Sequence, residues 1–129
     1  MTSVPIPCSK AVADPDYDDR LSRVLARALH GWDADVREML ALTKSTPADH
    51  ESVDRLTFEE LRAITELENQ FGTAPRPVII IVDDVLNSGK HFKVAQSFIK
   101  ARYANAEVRG LFLSRCVREP VESEAPPGL

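Results

Sequence analysis

Pro77-Val78-Ile79-Ile80-Ile81-Val82-Asp83-Asp84-Val85-Leu86-Asn87-Ser88-Gly89-Lys90-His91 is the stretch on which the fold of this chain turns. The β-branched run Val78 to Val82 has the pattern of a strand buried on both faces of a parallel sheet, and it ends in two adjacent carboxylates. A loop with Ser88, Gly89 and Lys90 follows. Beyond it, Phe92, Ala95, Phe98 and Ile99 recur at the three- and four-residue steps of an amphipathic helix, predicted from about His91 to Tyr103. Val108-Arg109-Gly110-Leu111-Phe112-Leu113 then reads as a second buried strand, which completes a parallel β-α-β crossover. The predicted class is α/β, with a short, mainly parallel sheet flanked by helices.

The chemistry of the stretch follows from its order. Open α/β sheets bind ligands beyond the carboxyl ends of their strands, and a loop entering a helix offers free N–H groups and a positive dipole end to a phosphate. Gly89 permits close backbone approach, Ser88 adds a hydroxyl and Lys90 a charge. Asp83 and Asp84 are suited to accepting hydrogen bonds from a diol or to holding a hydrated Mg²⁺. A diol acceptor beside a phosphate cradle fits a ribose 5-phosphate. Adjacent aspartates after a strand also serve as plain turn and cap residues, and that reading stands beside the first.

Two other sites share parts of the pattern. Gly89-Lys90 suggests a nucleoside-triphosphate P-loop, but Asp84 occupies the place of the first glycine and His91 that of the Ser or Thr. An apolar strand ending in Asp-Asp also opens phospho-receiver domains. Those need more than half of their sheet downstream of Asp84, where one strand candidate remains.

From Val78 to Gly89 the sequence resembles the phosphoribosyl-pyrophosphate-binding motif of type I phosphoribosyltransferases, a hydrophobic strand, two acids and a short Ser/Thr/Gly loop. Where family members usually carry Thr-Thr-Gly-x-Thr, this chain has Asn87, Ser88, Gly89, Lys90 and His91. The competence-protein-F-like and amidophosphoribosyltransferase-like branch is the closest in pattern, because Val4-Pro5-Ile6-Pro7-Cys8-Ser9-Lys10 is similar to its extended pyrophosphate-loop segment. The resemblance implies a minimal phosphoribosyltransferase domain that binds phosphoribosyl pyrophosphate and Mg²⁺. It implies ribose hydroxyls on Asp83 and Asp84, the 5-phosphate on Val85, Leu86, Asn87, Ser88, Gly89, Lys90 and His91, and the pyrophosphate on Ser9 and Lys10. Mg²⁺ would arrive with the substrate, with Asp83 and Asp84 as its protein ligands. The acceptor is unspecified, and a non-catalytic relative that senses a phosphoribosyl metabolite in nucleotide salvage or DNA uptake is the alternative.

Elsewhere, Asp18 is the expected N-cap of a helix carrying Leu21, Val24, Leu25, Ala28 and Leu29. Residues 33–42 are expected to form a short helix capped by Asp33, with Val36, Met39 and Leu40 inward. Residues 43–55 are polar; the resemblance makes them a mobile loop from which Lys44, Ser45 and Arg55 reach phosphate. Thr57 to Glu60 forms a capping box for a helix whose face is Phe58, Leu61, Ile64, Leu67 and Phe71, ending near Gly72. Trp32 is expected in the core or an interface. Arg115 and Arg118 are expected to be solvated.

The 129 residues suit one domain, assigned to 1–116, with a charged, proline-rich tail over 117–129 expected to be disordered. The net charge of −4 argues against nucleic acid as a partner. No apolar run approaches a membrane span, and the first residues lack a signal-peptide pattern, so a cytoplasmic location is expected. Two cysteines, Cys8 and Cys116, are too few for a disulfide framework, and His30, His50 and His91 lack metal-ligand spacing. The exposed edges of so small a parallel sheet favour a homodimer.

Overall fold

A computed structural model describes residues 1–46, 56–68, 71–86 and 89–115, with the backbone alone for Val85, Leu86 and Arg115. The predicted tail at 117–129, and Arg55, His50, Asn87, Ser88, Cys116 and Arg118, lie outside the described residues.

The centre is strand β5, Val78–Leu86. On one side it pairs in parallel with β1, Thr2–Pro5, and on the other with β6, Glu107–Arg115. A two-residue strand β2, Asp35–Val36, pairs in parallel with the outer side of β1, giving the order β2-β1-β5-β6. The α/β class and the mainly parallel sheet are therefore as predicted. Burial explains the β-branched run: Ile79 and Ile81 are fully buried on one face and Val82 on the other, with Val4 beside Ile81 in register.

Helix α1, Arg20–Ala28, follows β1 and packs on β1 and β2. The motif helix, Lys90–Arg102, packs on β5 and β6, with Ala95 and Ile99 in one cluster with Ile79 and Ile81. The two crossovers run in opposite lateral directions, β1 to β2 and β5 to β6. Because parallel crossovers share one hand, this sends the two helices to opposite faces and makes the β1–β5 boundary the topological switch point.

Between these units the structure departs from the expected helices. Residues 33–42 form β2 and then β3, Leu40–Leu42, which pairs antiparallel with β4, Thr65–Leu67. The residues that win this competition are distant in sequence. Arg37, 9% exposed, bonds through Nε to Asp35 at 3.0 Å, through Nη1 to the Thr73 carbonyl at 2.6 Å and through Nη2 to the Thr73 hydroxyl at 2.8 Å. A helix over 33–42 would forfeit that network and the ladder to β1. Asp33, expected as a cap, instead accepts from Arg76 Nη2 at 2.8 Å.

The second expected helix is cut short for the same reason. Its capping box forms as predicted, with Glu60 N donating to Thr57 Oγ1 at 3.1 Å and Thr57 N to Glu60 Oε1 at 3.3 Å. The helix spans only Phe58–Ala63 and becomes α2, which makes the motif helix α3; Leu67 belongs to β4 rather than to a helix face. With β3 and β4, α2 covers the outer side of α3 around Leu42, Leu61 and Val94.

Four further expectations are revised. Asp18 is not the N-cap residue of α1, which is Asp19, although Asp18 Oδ1 accepts the Arg20 N–H at 2.9 Å. Of the predicted α1 stripe only Leu25 is buried, while Val24 is 48% exposed; Trp32, expected in the core or an interface, is 76% exposed and so does not lie in the core. Strand β6 closes the sheet among the described residues, so Leu111 and Leu113 are exposed instead of buried on both faces. Its inner face is tightly filled: a Cβ on Gly110 would come within 2.9 Å of both the Phe92 and Phe112 rings, which meet edge to face.

Candidate functional site

The sheet ends unevenly. Strand β1 stops at Pro5, opposite Val82, and one further bond from Ile6 N to the Val82 carbonyl closes that ladder at 2.8 Å. On the other side β5 remains paired with β6 through Leu86 and Arg115. Asp83 and Asp84 therefore lie inside β5 as seen from β6, and beyond the end of the sheet as seen from β1. Val85 and Leu86, expected in the phosphate loop, are strand residues opposite Ser114 and Arg115. Their backbone belongs to the ladder, which shortens the loop before α3.

A cleft of about 260 Å³ opens at this step, at the switch point. Pro5 to Cys8 run along it, with Asp83, Asp84 and Leu113 on the side of β5 and β6. The first turn of α1 and the preceding Tyr17 to Asp19 form the opposite side, and Glu38 joins them from the β2–β3 connection. Asp83 is half-buried and Asp84 exposed. Asp83 Oδ1 accepts the Asp84 N–H at 2.8 Å, and the Asp84 carbonyl accepts from Ser114 Oγ at 3.1 Å, so the backbone of the acid pair is held.

Carboxylates dominate the charged groups of the lining. Asp18, Asp19, Glu38, Asp83 and Asp84 face the cleft against Arg20, whose Nε lies 4.0 Å from Asp18 Oδ2. Arg23 holds Asp19 at 2.7 Å, and Ser22 Oγ donates to Glu38 Oε1 at 2.6 Å. Burial, and then the negative charge of Glu38, Cys8 and Asp19, push the Tyr17 hydroxyl pKa up. Cys8 Sγ accepts the Asp18 N–H at 3.4 Å, tying the β1 loop to the start of α1.

The two lysines expected to meet phosphate each donate to a backbone carbonyl. Lys10 Nζ donates to the Thr46 carbonyl at 2.9 Å, while the Ser9 carbonyl accepts from Thr46 N at 2.7 Å and Thr46 Oγ1 at 3.0 Å. Neither Ser9 nor Lys10 lines the cleft. Ser45 bridges the Ala11 N–H and the Asp14 carboxylate, a bond that is the main cause of the lowered Asp14 pKa. Lys90 Nζ donates to the Leu56 carbonyl at 2.6 Å, and His91 lines a separate narrow crevice with Ile6, Pro7 and Leu40. Gly89 has a conformational role that the sequence reading did not assign to it. As the N-cap of α3 it has φ 77°, a left-handed conformation that glycine adopts without steric cost.

The structure thus unites Asp83 and Asp84 with the Pro5 to Cys8 segment in one cleft, and Ser9, Lys10, Lys90 and His91 are not among the described residues that line it. Sequence reasoning missed Glu38 because it was assigned to a helix. Tyr17, Asp18 and Asp19 carried a visible signal, since their acidic and aromatic turn precedes α1 directly.

Among the described residues, no group of three or more His, Cys, Asp or Glu is arranged to hold a metal ion. An all-protein metal cage is not what Mg²⁺ requires, because it commonly binds through one or two carboxylates, several waters and substrate phosphates. The hard oxygen donors of Asp83 and Asp84 fit that mode. Among the described residues no helix is long and apolar enough to cross a membrane. Compared with protein-family models, curated proteins and solved structures, the chain matches none of them.

Proposed function

We propose that the cleft at the β1–β5 switch point binds phosphoribosyl pyrophosphate with Mg²⁺, and that the chain transfers the phosphoribosyl group to an acceptor with release of pyrophosphate. The observation that carries this reading is the opening of Asp83 and Asp84 into a cleft at the carboxyl end of the central strand, followed by a glycine-capped helix. The adjacent carboxylates accept hydrogen bonds from a vicinal diol, and the α3 N-terminus attracts the 5-phosphate. Tyr17 and the first turn of α1 bound the volume left for the rest of the ligand.

In such a displacement the sugar carbon gains positive charge as the leaving group departs, so carboxylates held nearby stabilise the transition state more than the ground state. The five carboxylates of the lining serve that role and also discourage a bare polyanion. Mg²⁺, when bound, would screen the phosphates and stabilise the leaving pyrophosphate. Asp83 and Asp84 would orient the ribose, and no side chain of the cleft needs to act as nucleophile.

A second reading has its own observation. With Lys10 held on Thr46 and Lys90 on Leu56, a binding protein for a phosphoribosyl metabolite, without turnover, matches the shortage of cations in the cleft. One experiment separates the two. Titration with phosphoribosyl pyrophosphate and Mg²⁺, followed by amide chemical shifts, is expected to move Ile6, Cys8 and residues 83–91 together, and the Asp83→Asn/Asp84→Asn variant is expected to lose the response. Pyrophosphate release in an acceptor screen then marks the transferase, and saturable binding without release marks the sensor. Shifts absent at millimolar ligand would sink both readings.

A further inference from the structure

Among the described residues the outer side of β6 is an unpaired edge of the sheet, and its chemistry is self-complementary. Glu107 N donates to the Pro77 carbonyl at 2.9 Å, so the odd-numbered residues of β6 turn their backbone groups toward β5. The even-numbered residues Val108, Gly110, Phe112 and Ser114 turn theirs outward, where no described strand pairs with them. The odd side chains share the sheet face opposite Phe112 and its partner Phe92. On that face Leu111 is 50% and Leu113 61% exposed, with the ion pair Glu107–Arg109 at the amino end of the strand.

We propose that β6 pairs antiparallel with β6 of a second copy about a two-fold axis at Leu111, and that this brings Arg109 of the second copy to the rim of the acidic cleft. An antiparallel ladder needs the outward-facing residues opposite one another, and only registers that pair even with even provide that. With Leu111 on the axis, Gly110 stands opposite Phe112 and Val108 opposite Ser114, so every outward N–H and C=O along that span finds a partner. The same register sets Glu107 opposite Arg115, an opposite-charge pair at each end, with Leu111 opposite Leu111 between them. Moving the axis to Phe112 would set Arg109 opposite Arg115, and like charges directly across a ladder destabilise it. The long edge, with leucines at its middle and charges of opposite sign at its ends, thus selects a second copy of this chain as its occupant.

The consequence for the cleft follows from register. Asp83 pairs with Phe112, which puts Asp84 beside Leu113 on the same face, and Leu113 lines the cleft. In the dimer Arg109 of the second copy stands across from Leu113. It is then two strand spacings, about 10 Å between Cα atoms, from Asp84. An extended arginine spans that distance. The second copy would supply a cation to a lining that has five carboxylates and one arginine. This contribution rests on the proposed phosphoribosyl pyrophosphate site, whereas the dimer does not.

Sedimentation equilibrium of the full chain is expected to give a species of twice 14.3 kDa. Leu111→Lys, which opposes two like charges on the axis at an already exposed position, is expected to raise the dimer dissociation constant at least about tenfold. In a Cys8→Ser/Cys116→Ser background, oxidised glutathione is expected to join Leu111→Cys chains into a covalent dimer and to leave Leu113→Cys chains unlinked. This register test does not depend on the lysine variant folding. A wild type that stays at 14.3 kDa up to about 0.5 mM, or cross-linking at 113 and not at 111, overturns the interface. With the dimer intact, Arg109→Ala is expected to weaken phosphoribosyl pyrophosphate binding severalfold in the presence of Mg²⁺, and unchanged affinity overturns its place at the rim. If the ligand binds neither protein while the dimer persists, the proposed ligand fails and the interface stands.

Discussion

Two aspartate sites lie at opposite ends of the same parallel sheet, and they are built in opposite ways. At the amino end Asp35 is closed in by partners: Thr2 Oγ1 donates to it at 2.7 Å and Arg37 Nε at 3.0 Å, while Arg37 is tied to Thr73 and Ala74. Thr2 Oγ1 also accepts from Arg76 N at 2.9 Å, so that corner is stitched from three separate segments. At the carboxyl end Asp83 and Asp84 open into a cleft among other carboxylates. The first site uses its charge to hold the chain together; the second presents its carboxylates to a cleft that Asp18, Asp19, Glu38 and Arg20 also line. Saturation of an acid by partners marks a structural role, and its presentation to a cavity marks a chemical one.

Arg37→Ala should break this comparison most strongly. It leaves the Asp35 carboxylate without its cation and the Thr73 and Ala74 carbonyls without the guanidinium donor in a half-buried to buried setting, and a loss of about 3 kcal/mol in urea unfolding is expected. The side chains involved are only 10% and 19% exposed, so solvent screening removes little of that effect.

An intermediate effect is expected from acid. Burial pushes the Asp35 pKa up, but the bonds from Thr2 and Arg37 outweigh it and hold the group below its ordinary value of 3.8. A lowered folded-state pKa contributes stability that is complete above 3.8 and is lost as pH falls through the folded-state value. Unfolding free energy measured down from neutral pH should therefore fall steeply in that acid range. Asp35→Asn should flatten the slope there, and an unchanged slope would remove Asp35 from the account.

The smallest change in stability is expected at the other site. Asp83→Asn/Asp84→Asn keeps an acceptor for the Asp84 N–H and removes negative charge from the cleft, so the unfolding free energy should stay within about 0.5 kcal/mol of wild type. A loss comparable to that of Arg37→Ala would place Asp83 and Asp84 with Asp35 as structural residues, and the contrast between the two ends of the sheet would disappear.

Much of the carboxyl end was legible in the chain itself. The run Val78 to Val82 could satisfy its side chains only in a doubly covered strand, the helix after Gly89 repeats at helical steps, and the capping box at Thr57 and Glu60 is a local device that forms from its own four residues. Such features depend on neighbours in sequence, and periodicity reports them. Residues 33–42 and 64–71 were misread because their competing partners lie far along the chain. Arg37 meets Thr73, β2 meets β1, and β3 meets β4, and no local pattern encodes those meetings.

The sequence by itself determined the class, the central strand, the acid pair at its end and the glycine that starts α3. These rest on side-chain shape, on alternation and on the positive φ that glycine tolerates. Tertiary structure alone decided where β1 stops relative to β6, which opens the cleft at Asp83 and Asp84. It also decided that Lys10 and Lys90 donate to the Thr46 and Leu56 carbonyls, and that Glu38 and Tyr17 line the cleft. The physical reason is range. A strand's burial is set by its own residues, whereas the charge around a cleft is the sum over segments that only the folded sheet brings together.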